Sequence, residues 1–285
     1  MKTSSPLRYP GGKSALAGLL AAVRRLNGLG SLALAEPFAG GAGASLTLLY
    51  AEEVPEIQIN DADAAIGDFW WALIHRPNAF GRLIEETPLT IREWRRQRDL
   101  YRSRRASSRL RRGFAAFYLN RCNRSGIIMN GGPIGGVRQV GRWKLDARFN
   151  RSDLLQRCGK IAEYRDRIKV SGDDGLRVLA AADTSRTMFF VDPPYYAKGQ
   201  TVYMNYLDHE YHVALAETLR RMRNVAWIVT YDDCPEVRSM YRGWTKIKPF
   251  VLKYTAAGRR TGSEVMIAPK WMRLPSAQTS LCVEW

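Results

Sequence analysis

Short apolar runs bounded by turn residues recur along this chain, and helical periodicity fills several of the gaps between them. After a Gly-rich turn, Pro10-Gly11-Gly12-Lys13, apolar positions follow helical spacing from about Ser14 to Leu26. Leu32-Ala33-Leu34-Ala35 has strand length, meets the glycine-rich stretch FAGGAGAS, and is followed by a helix-like segment from Ser45 to about Glu52. Ile57-Gln58-Ile59 reads as a second strand, ending at Asn60-Asp61. Strand, turn, helix, strand is the grammar of a parallel α/β sheet. The pattern changes between about Ala65 and Glu163, where arginine, aromatics and helix formers dominate around one Gly-rich loop, NGGPIGGVRQVG at 130–141. Strand grammar resumes with Ile168-Lys169-Val170 and Met188–Val191, then a helix over about His209–Met222 and a strand at Trp227–Thr230. Val251–Tyr254 and Glu264–Ala268 read as a terminal antiparallel pair joined through GRRTG at 258–262. The pattern predicts an α/β sheet domain formed by 1–64 and 164–285, interrupted by a mainly helical insertion at 65–163.

Composition narrows the class. With 285 residues, 46% apolar and 25% charged, the chain can build a full core. No apolar run approaches the roughly 20 residues of a membrane helix. The start, MKTSSPLRYPGGKS, lacks the apolar core of a secretory signal. Cys122, Cys158, Cys234 and Cys282 are scattered without a C-x-x-C pair, so neither a metal site nor a disulfide framework is expected, and a reducing cytoplasm is the expected compartment. The net charge of +17 favours polyanionic partners. It is also clustered: from Arg92 to Arg124 there are 12 arginines against two acids, Glu93 and Asp99. Arginine's planar fork suits phosphates and base edges.

Four predicted strand ends carry candidate chemistry, in the place where open α/β sheets bind ligands. Glu36-Pro37-Phe38-Ala39-Gly40-Gly41-Ala42-Gly43 would let backbone approach an acidic ligand at a helix N-terminus, or serve only as a tight turn. Asp61 lies about 20 residues past that turn, the spacing of a ribose-hydroxyl acceptor; Asp61 or Asp63 could equally cap the next helix. Together these features suggest a nucleoside-containing cofactor. Asp173-Asp174 could reach an adenine amino group or cap a turn. The fourth is Asp192-Pro193-Pro194-Tyr195. Two prolines hold Asp192 extended and remove two backbone donors, leaving carbonyls open as acceptors. The Asp192 carboxylate and the Pro193 carbonyl suit an amino group on a planar ring, with Tyr195 free to stack and Tyr196 packing beside it. Such a shelf positions a nitrogen for direct attack on an electrophile. No Ser/His/Asp or Cys/His set stands out, and His209 and His212 are expected at the surface or in capping roles.

In order, PGGK, EPFAGG, IND, an Arg-rich middle and DPPY resemble the Dam-like family of DNA adenine methyltransferases over nearly the whole chain. The resemblance implies a Rossmann-like methyltransferase sheet with an inserted target-recognition domain, S-adenosylmethionine as cofactor, duplex DNA as partner and no metal. It implies catalytic roles for Asp192, Pro193, Pro194 and Tyr195. It implies cofactor contacts from Tyr9, Lys13, Glu36, Phe38, Gly40, Asp61, Asp174 and Asp192, with Pro37 in the same loop. Phe117-Tyr118-Leu119-Asn120-Arg121 is similar to the family's entry into its DNA-reading region, and Glu264 falls in its C-terminal strand. Asn120, Arg121, Arg124, Arg138, Gln139 and Arg142 are the candidate DNA contacts, the last three, with the 130–141 loop, as readers of base edges and the arginines of 92–124 as phosphate contacts. One departure is visible: the family's F-x-G-x-G reads Phe38-Ala39-Gly40-Gly41-Ala42, with the last glycine displaced to Gly43, and the loop is expected to survive with an altered backbone. The implied reaction is methylation of the exocyclic nitrogen of a flipped adenine by a cytoplasmic, monomeric enzyme, within or outside a restriction–modification system. RNA methylation, or DNA binding on a non-catalytic scaffold, are the rival readings; intact Lys13, Asp61 and Asp192 speak against the latter.

Overall fold

The structure, a computed structural model, describes residues 4–8, 13–103, 108–197, 207–253, 261–275 and 283–284. In chain order the elements are a 3-10 turn at Lys13–Leu16, α1 (Ala17–Leu26), β1 (Ala33–Glu36), α2 (Gly43–Tyr50) and β2 (Ile57–Asn60). Then come α3 (Ala64–His75), α4 (Pro77–Glu86), α5 (Ile91–Ser103), α6 (Arg109–Cys122), α7 (Arg151–Glu163) and β3 (Ile168–Ser171). The remainder holds α8 (Gly175–Ala181), β4 (Thr187–Val191), α9 (His209–Arg221), β5 (Trp227–Asp232), α10 (Pro235–Tyr241), β6 (Thr245–Lys253), β7 (Thr261–Pro269) and β8 (Val283–Glu284). The chain divides into two compact units, Met1–Gly12 with Asp61–Gly172, and Lys13–Asn60 with Asp173–Trp285.

In the second unit seven strands form a mixed sheet in the order β2-β1-β4-β5-β7-β6-β8. β1 pairs in parallel with β2 and with β4, and β4 in parallel with β5. β7 runs antiparallel to both β5 and β6. The parallel strands β4 and β5 are buried at every position, as continuous apolar runs between helices require. Phe189, Val191, Trp227 and Val229 pack with Leu215 and Leu219 of α9 and with Val265 and Ile267 of β7. Each such side chain contributes about 1.5–3 kcal/mol by burial. The order reverses at β1, whose neighbours are β2 and β4, so the carboxyl ends of β1 and β4 flank a switch point where such sheets bind ligands.

The strands expected at 32–35, 57–59, 188–191 and 227–230 fall on β1, β2, β4 and β5 to within a residue or two. The terminal pair is longer than its apolar core suggested, and Tyr254 with Gly258, Arg259 and Arg260 of the GRRTG segment lie outside the described residues. α8 and α10 were not anticipated. Each has only seven residues and starts from local signals: the Asp174 carboxylate accepts from Leu176 and Arg177 N–H, and Pro235 opens α10.

The first unit is helical apart from β3. α3 starts at Asp63, whose carboxylate accepts from Ala65 N–H, and is buried along most of its length. α6 crosses it at Gly113, where a Cβ would come within 2.4 Å of the Asp68 carbonyl oxygen, so no larger residue fits. Phe69, Phe80, Phe114, Phe117 and Phe149 make a chain of edge and stacked ring contacts. α5 resolves the arginine-rich pattern: Trp94, Gln97 and Tyr101 form one inward stripe at helical spacing, and its arginines lie outside that stripe.

Candidate active site at the carboxyl ends of β1 and β4

The residues after β4 are held by one face of β5 and β7. Residues alternate sides along a strand, so Thr230 and Asp232 share a face, and Glu264 lies directly opposite Asp232 in the β5–β7 register. Thr230 Oγ1 donates to Asp192 Oδ1 at 2.6 Å. The Tyr195 hydroxyl donates to Glu264 Oε2 at 2.7 Å. Asp232 accepts from the backbone N–H of Tyr196 at 3.0 Å and of Ala197 at 2.9 Å. Thr230 and Asp232 escaped the sequence reading, although two polar residues at alternating positions in an otherwise apolar strand were a usable signal.

Lys13 sits among these acceptors and is only 6% exposed. Its ammonium donates to the Tyr195 hydroxyl at 2.5 Å, lies 3.4 Å from Asp192 Oδ1 and 3.7 Å from Glu264 Oε2, and stands over the Tyr195 ring at 4.6 Å. Burial pushes the Asp192 carboxyl up from its ordinary range, opposed by the Lys13 ammonium and the Thr230 hydroxyl. Asp192 Oδ1 is thus held from two sides, while Oδ2 and the Pro193 carbonyl accept from no described residue. Tyr196 packs against His212 at 5.2 Å and meets His209 through its hydroxyl. His212 corrects an expectation: it is 1% exposed, on the inward face of α9 with Leu215, Ala216 and Leu219, and its Nδ1 bonds the Tyr231 hydroxyl at 2.7 Å. Of this pair, His209 is the surface residue.

At the end of β1, Glu36 is buried and its Oε1 accepts from Ser45 N–H at 3.0 Å, closing a free donor in the first turn of α2. Burial raises its carboxyl to about 7, opposed by the hydrogen bond from Ser45 and with a push from the Asp192 charge. In this loop Gly40 has φ +48°, and Ala42, N-cap of α2, takes the left-handed region at φ 46°, ψ 33°. Asn60 ties this loop to the β3–α8 turn, donating to the carbonyls of Pro37 at 2.8 Å and Asp173 at 2.9 Å and accepting from Asp173 N–H at 2.9 Å. The Phe38 ring lies against Gly175, where a Cβ would come within 2.4 Å of it, and meets Tyr211 edge-on. Asp174 is committed, capping α8 with Oδ1 and accepting from the Tyr211 hydroxyl with Oδ2 at 2.8 Å. The neighbouring Asp173 carboxylate is exposed and has no partner among the described residues. Tyr9 lies outside the described residues. Asp61, in the helical unit, accepts from Asp63 N–H at 2.9 Å.

The candidate DNA contacts, all in the helical unit, divide in two. Asn120 is buried, its amide bonding Arg8 N–H, the Arg8 carbonyl and the Gly126 carbonyl. Arg121 is buried and donates to the Arg148 carbonyl at 2.7 Å. Gln139 is spent on its own loop, donating to the carbonyls of Ile134 and Gly136 and accepting from Leu145 N–H. Arg124, Arg138 and Arg142 are exposed, with Arg142 over the Trp143 ring at 5.3 Å. The arginine cluster divides likewise. Arg109 and Arg112 pair with Asp68 at 2.8 and 2.6 Å, and Arg96 with Glu93 at 3.0 Å. Arg92, Arg95, Arg102, Arg111 and Arg124 are exposed without a partner among the described residues, and Arg104 and Arg105 lie outside them.

Among the described residues no helix is long and apolar enough to cross a membrane, and no group of three or more His, Cys, Asp or Glu could hold a metal ion. A parallel sheet with acidic and glycine-rich strand ends at its switch point, finished by an antiparallel strand pair, defines an α/β Rossmann-like fold. The family model of the D12 class N6 adenine-specific DNA methyltransferases matches residues 9–255, and the chain belongs to that family. Among solved structures it is similar to a conserved hypothetical protein of Streptococcus pyogenes, with 9% identity and a TM-score of 0.34 over 85% of this chain and 88% of that one. It is also similar to the rRNA methyltransferase AviRa of Streptomyces viridochromogenes, with 13% identity and a TM-score of 0.36 over 92% of this chain and 85% of that one. No curated protein sequence matches it significantly.

Proposed function

We propose that the protein methylates the exocyclic amino nitrogen of an adenine turned out of duplex DNA, using S-adenosylmethionine. The observation that carries this reading is the pair of open acceptors, Asp192 Oδ2 and the Pro193 carbonyl, beside an Oδ1 fixed by Thr230 and Lys13. An amino group has two N–H donors and matches two fixed acceptors. Accepting both bonds orients the nitrogen lone pair outward and concentrates electron density on it. A carboxyl raised by burial is also a better proton acceptor, so Asp192 can take the proton that the methylated nitrogen sheds. A base inside a duplex cannot reach such a shelf, which is why extrusion is part of the reading.

The donor set fits a cationic cofactor. Two carboxylates, Asp192 and Glu264, surround the single Lys13 ammonium, and the Glu36 carboxyl is strained by burial until a positive charge arrives. S-adenosylmethionine supplies an electrophilic methyl group on a sulfonium. Lys13, Glu36, Phe38, Gly40 and Asp61 remain its candidate contacts, with Tyr9. For the adenosine amino group we assign Asp173, whose carboxylate is open, in place of Asp174, whose two oxygens are occupied. In the DNA-facing role, Arg124, Arg138 and Arg142 keep free guanidinium groups, whereas Asn120, Arg121 and Gln139 hold the scaffold that presents them. The enzyme acts in the cytoplasm, as a monomer, on double-stranded DNA.

Base-resolved sequencing of modified DNA from a host expressing the protein tests the reading, with Asp192→Ala as control. N6-methyladenine in one sequence context, absent with the variant, is expected. Methylated RNA with unmodified DNA would transfer the same site chemistry to the RNA reading.

A further inference from the structure

We propose that Asp232 is a positioning residue for methyl transfer, holding the chain that leaves the Asp192–Tyr195 shelf. Nothing in the sequence pattern of that shelf points to it, because it arrives from β5, well separated along the chain. Its carboxylate is 3% exposed and receives two consecutive backbone N–H groups, one on each oxygen: Tyr196 at 3.0 Å and Ala197 at 2.9 Å. Two donors from adjacent residues fix both the position and the direction of the backbone there, as a single bond would not. The geometry is complete along the shelf. Thr230 holds the Asp192 side chain, Glu264 holds the Tyr195 hydroxyl, and Asp232 holds the backbone of the next two residues, all from the same face of β5 and β7. The prolines cannot donate, so these three acceptor and donor side chains supply what the motif's own backbone lacks. Releasing the last of them lets the segment after Pro194 shift, and Tyr195 and the Pro193 carbonyl shift with it.

This role rests on the methyl-transfer reading, and the test separates the two. Asp232→Asn keeps the shape and one acceptor oxygen but turns an NH2 group toward one of the two N–H donors. Its single-turnover methyl-transfer rate is expected to fall on the order of 10²-fold. Its dissociation constant for S-adenosylmethionine should stay within about threefold, so the loss falls on the chemical step and not on binding. Asp232→Glu, which restores both acceptors on a longer stem, should recover part of the rate. In the unmodified protein the amides of Tyr196 and Ala197 should be protected from hydrogen exchange, and in folded Asp232→Asn that protection should drop. A folded Asp232→Asn with a rate within about twofold of the parent overturns the role. So do unprotected Tyr196 and Ala197 amides in the parent, a measurement that stands even if the variant fails to fold. Protected amides in a parent that methylates nothing would instead sink the methyl-transfer reading and leave the clamp in place.

Discussion

In the sheet unit one cation, Lys13, is buried among Asp192, Glu264 and the Tyr195 hydroxyl, while in the helical unit α5 and α6 display arginines of which Arg92, Arg95, Arg102 and Arg111 meet no described partner. The first arrangement is a small set of groups with assigned neighbours, in low dielectric, where each contact is strong and each loss is costly. The second is a set of solvated charges, individually worth little to the fold and available to a polyanion. One residue type can serve both ends: Arg109 and Arg112 look like members of the display in sequence, yet they are structural through Asp68. A buried constellation is therefore tested one residue at a time, and a charged surface only as a set.

The largest expected effect breaks the buried side of this contrast. Asp192→Ala should lower the methyl-transfer rate on the order of 10³-fold, since it removes the side-chain acceptor of the shelf. Calorimetric titration should find the affinity for S-adenosylmethionine changed only a few-fold. Retained turnover would remove Asp192 from the catalytic role. Next is the charged surface: changing Arg92, Arg95, Arg102, Arg111 and Arg124 together to Gln should reduce the slope of log affinity for DNA against log salt by up to about 4.5, at roughly 0.9 for each phosphate left unneutralised. Thermal stability should barely move, since exposed unpaired side chains change it by about 0.5 kcal/mol or less each. An unchanged slope would mean that the phosphate surface lies elsewhere.

Glu36 sharpens the comparison through pH. Its carboxyl ordinarily titrates at 4.5 and is raised to about 7 by burial, so the folded protein binds a proton more tightly than the unfolded chain does. The stability tied to that proton is complete below about pH 4.5 and is lost as pH rises through about 7; the difference is roughly 3 kcal/mol. Glu36→Gln can keep the Ser45 N–H bond and never ionises. Denaturant unfolding of this variant from pH 4.5 to 8 should lack that part of the slope, with higher stability than the parent at pH 8 in the absence of cofactor. Affinity for the cationic cofactor should fall. Asp68→Ala is a smaller test on the other unit, with a stability loss of about 2 kcal/mol, discounted for the exposure of Arg109 and Arg112. The DNA salt slope should stay the same, unlike that of the five-arginine variant.

These outcomes also mark what sequence could convey. The Asp192 shelf stands out in the sequence because two prolines and a carboxylate at a strand end have few physical uses; the bond that holds Oδ1 to Thr230 does not. The parallel strands were legible because continuous apolar runs between turns are strong signals of a buried sheet. What stayed hidden depends on partners distant in sequence. Thr230 and Asp232 acquire meaning only through the β4–β5 neighbourhood, 38 and 36 residues from the atoms they hold. Asp173 and Asp174 were indistinguishable as letters; Tyr211, 37 residues on, occupies one of them. Asn120, Arg121 and Gln139 have the chemistry of base readers, and only the fold reveals that their polar atoms are already used.

The smallest expected effect concerns Ala42, where the chain departs from its family's glycine spacing. Ala42 adopts φ 46°, a region that costs an L residue with a Cβ about 1 kcal/mol relative to glycine, and it is 1% exposed at the N-cap of α2. The cost is tolerated because the loop is fixed on both sides: Ala42 N–H donates to the Ala39 carbonyl at 2.7 Å, Leu46 N–H returns to the Ala42 carbonyl at 3.0 Å, and Glu36 satisfies Ser45. Ala42→Gly relieves the strain but gives up a buried methyl group and loosens the unfolded chain, so the two effects partly cancel. The net change in unfolding free energy should lie within about 1 kcal/mol of zero. The informative readout is the temperature dependence of cofactor affinity. If the left-handed Ala42 matters by stiffening the loop, the glycine variant should bind S-adenosylmethionine more weakly at unchanged stability. Tighter binding in the glycine variant would mean that Ala42 strains the loop away from its cofactor-binding shape.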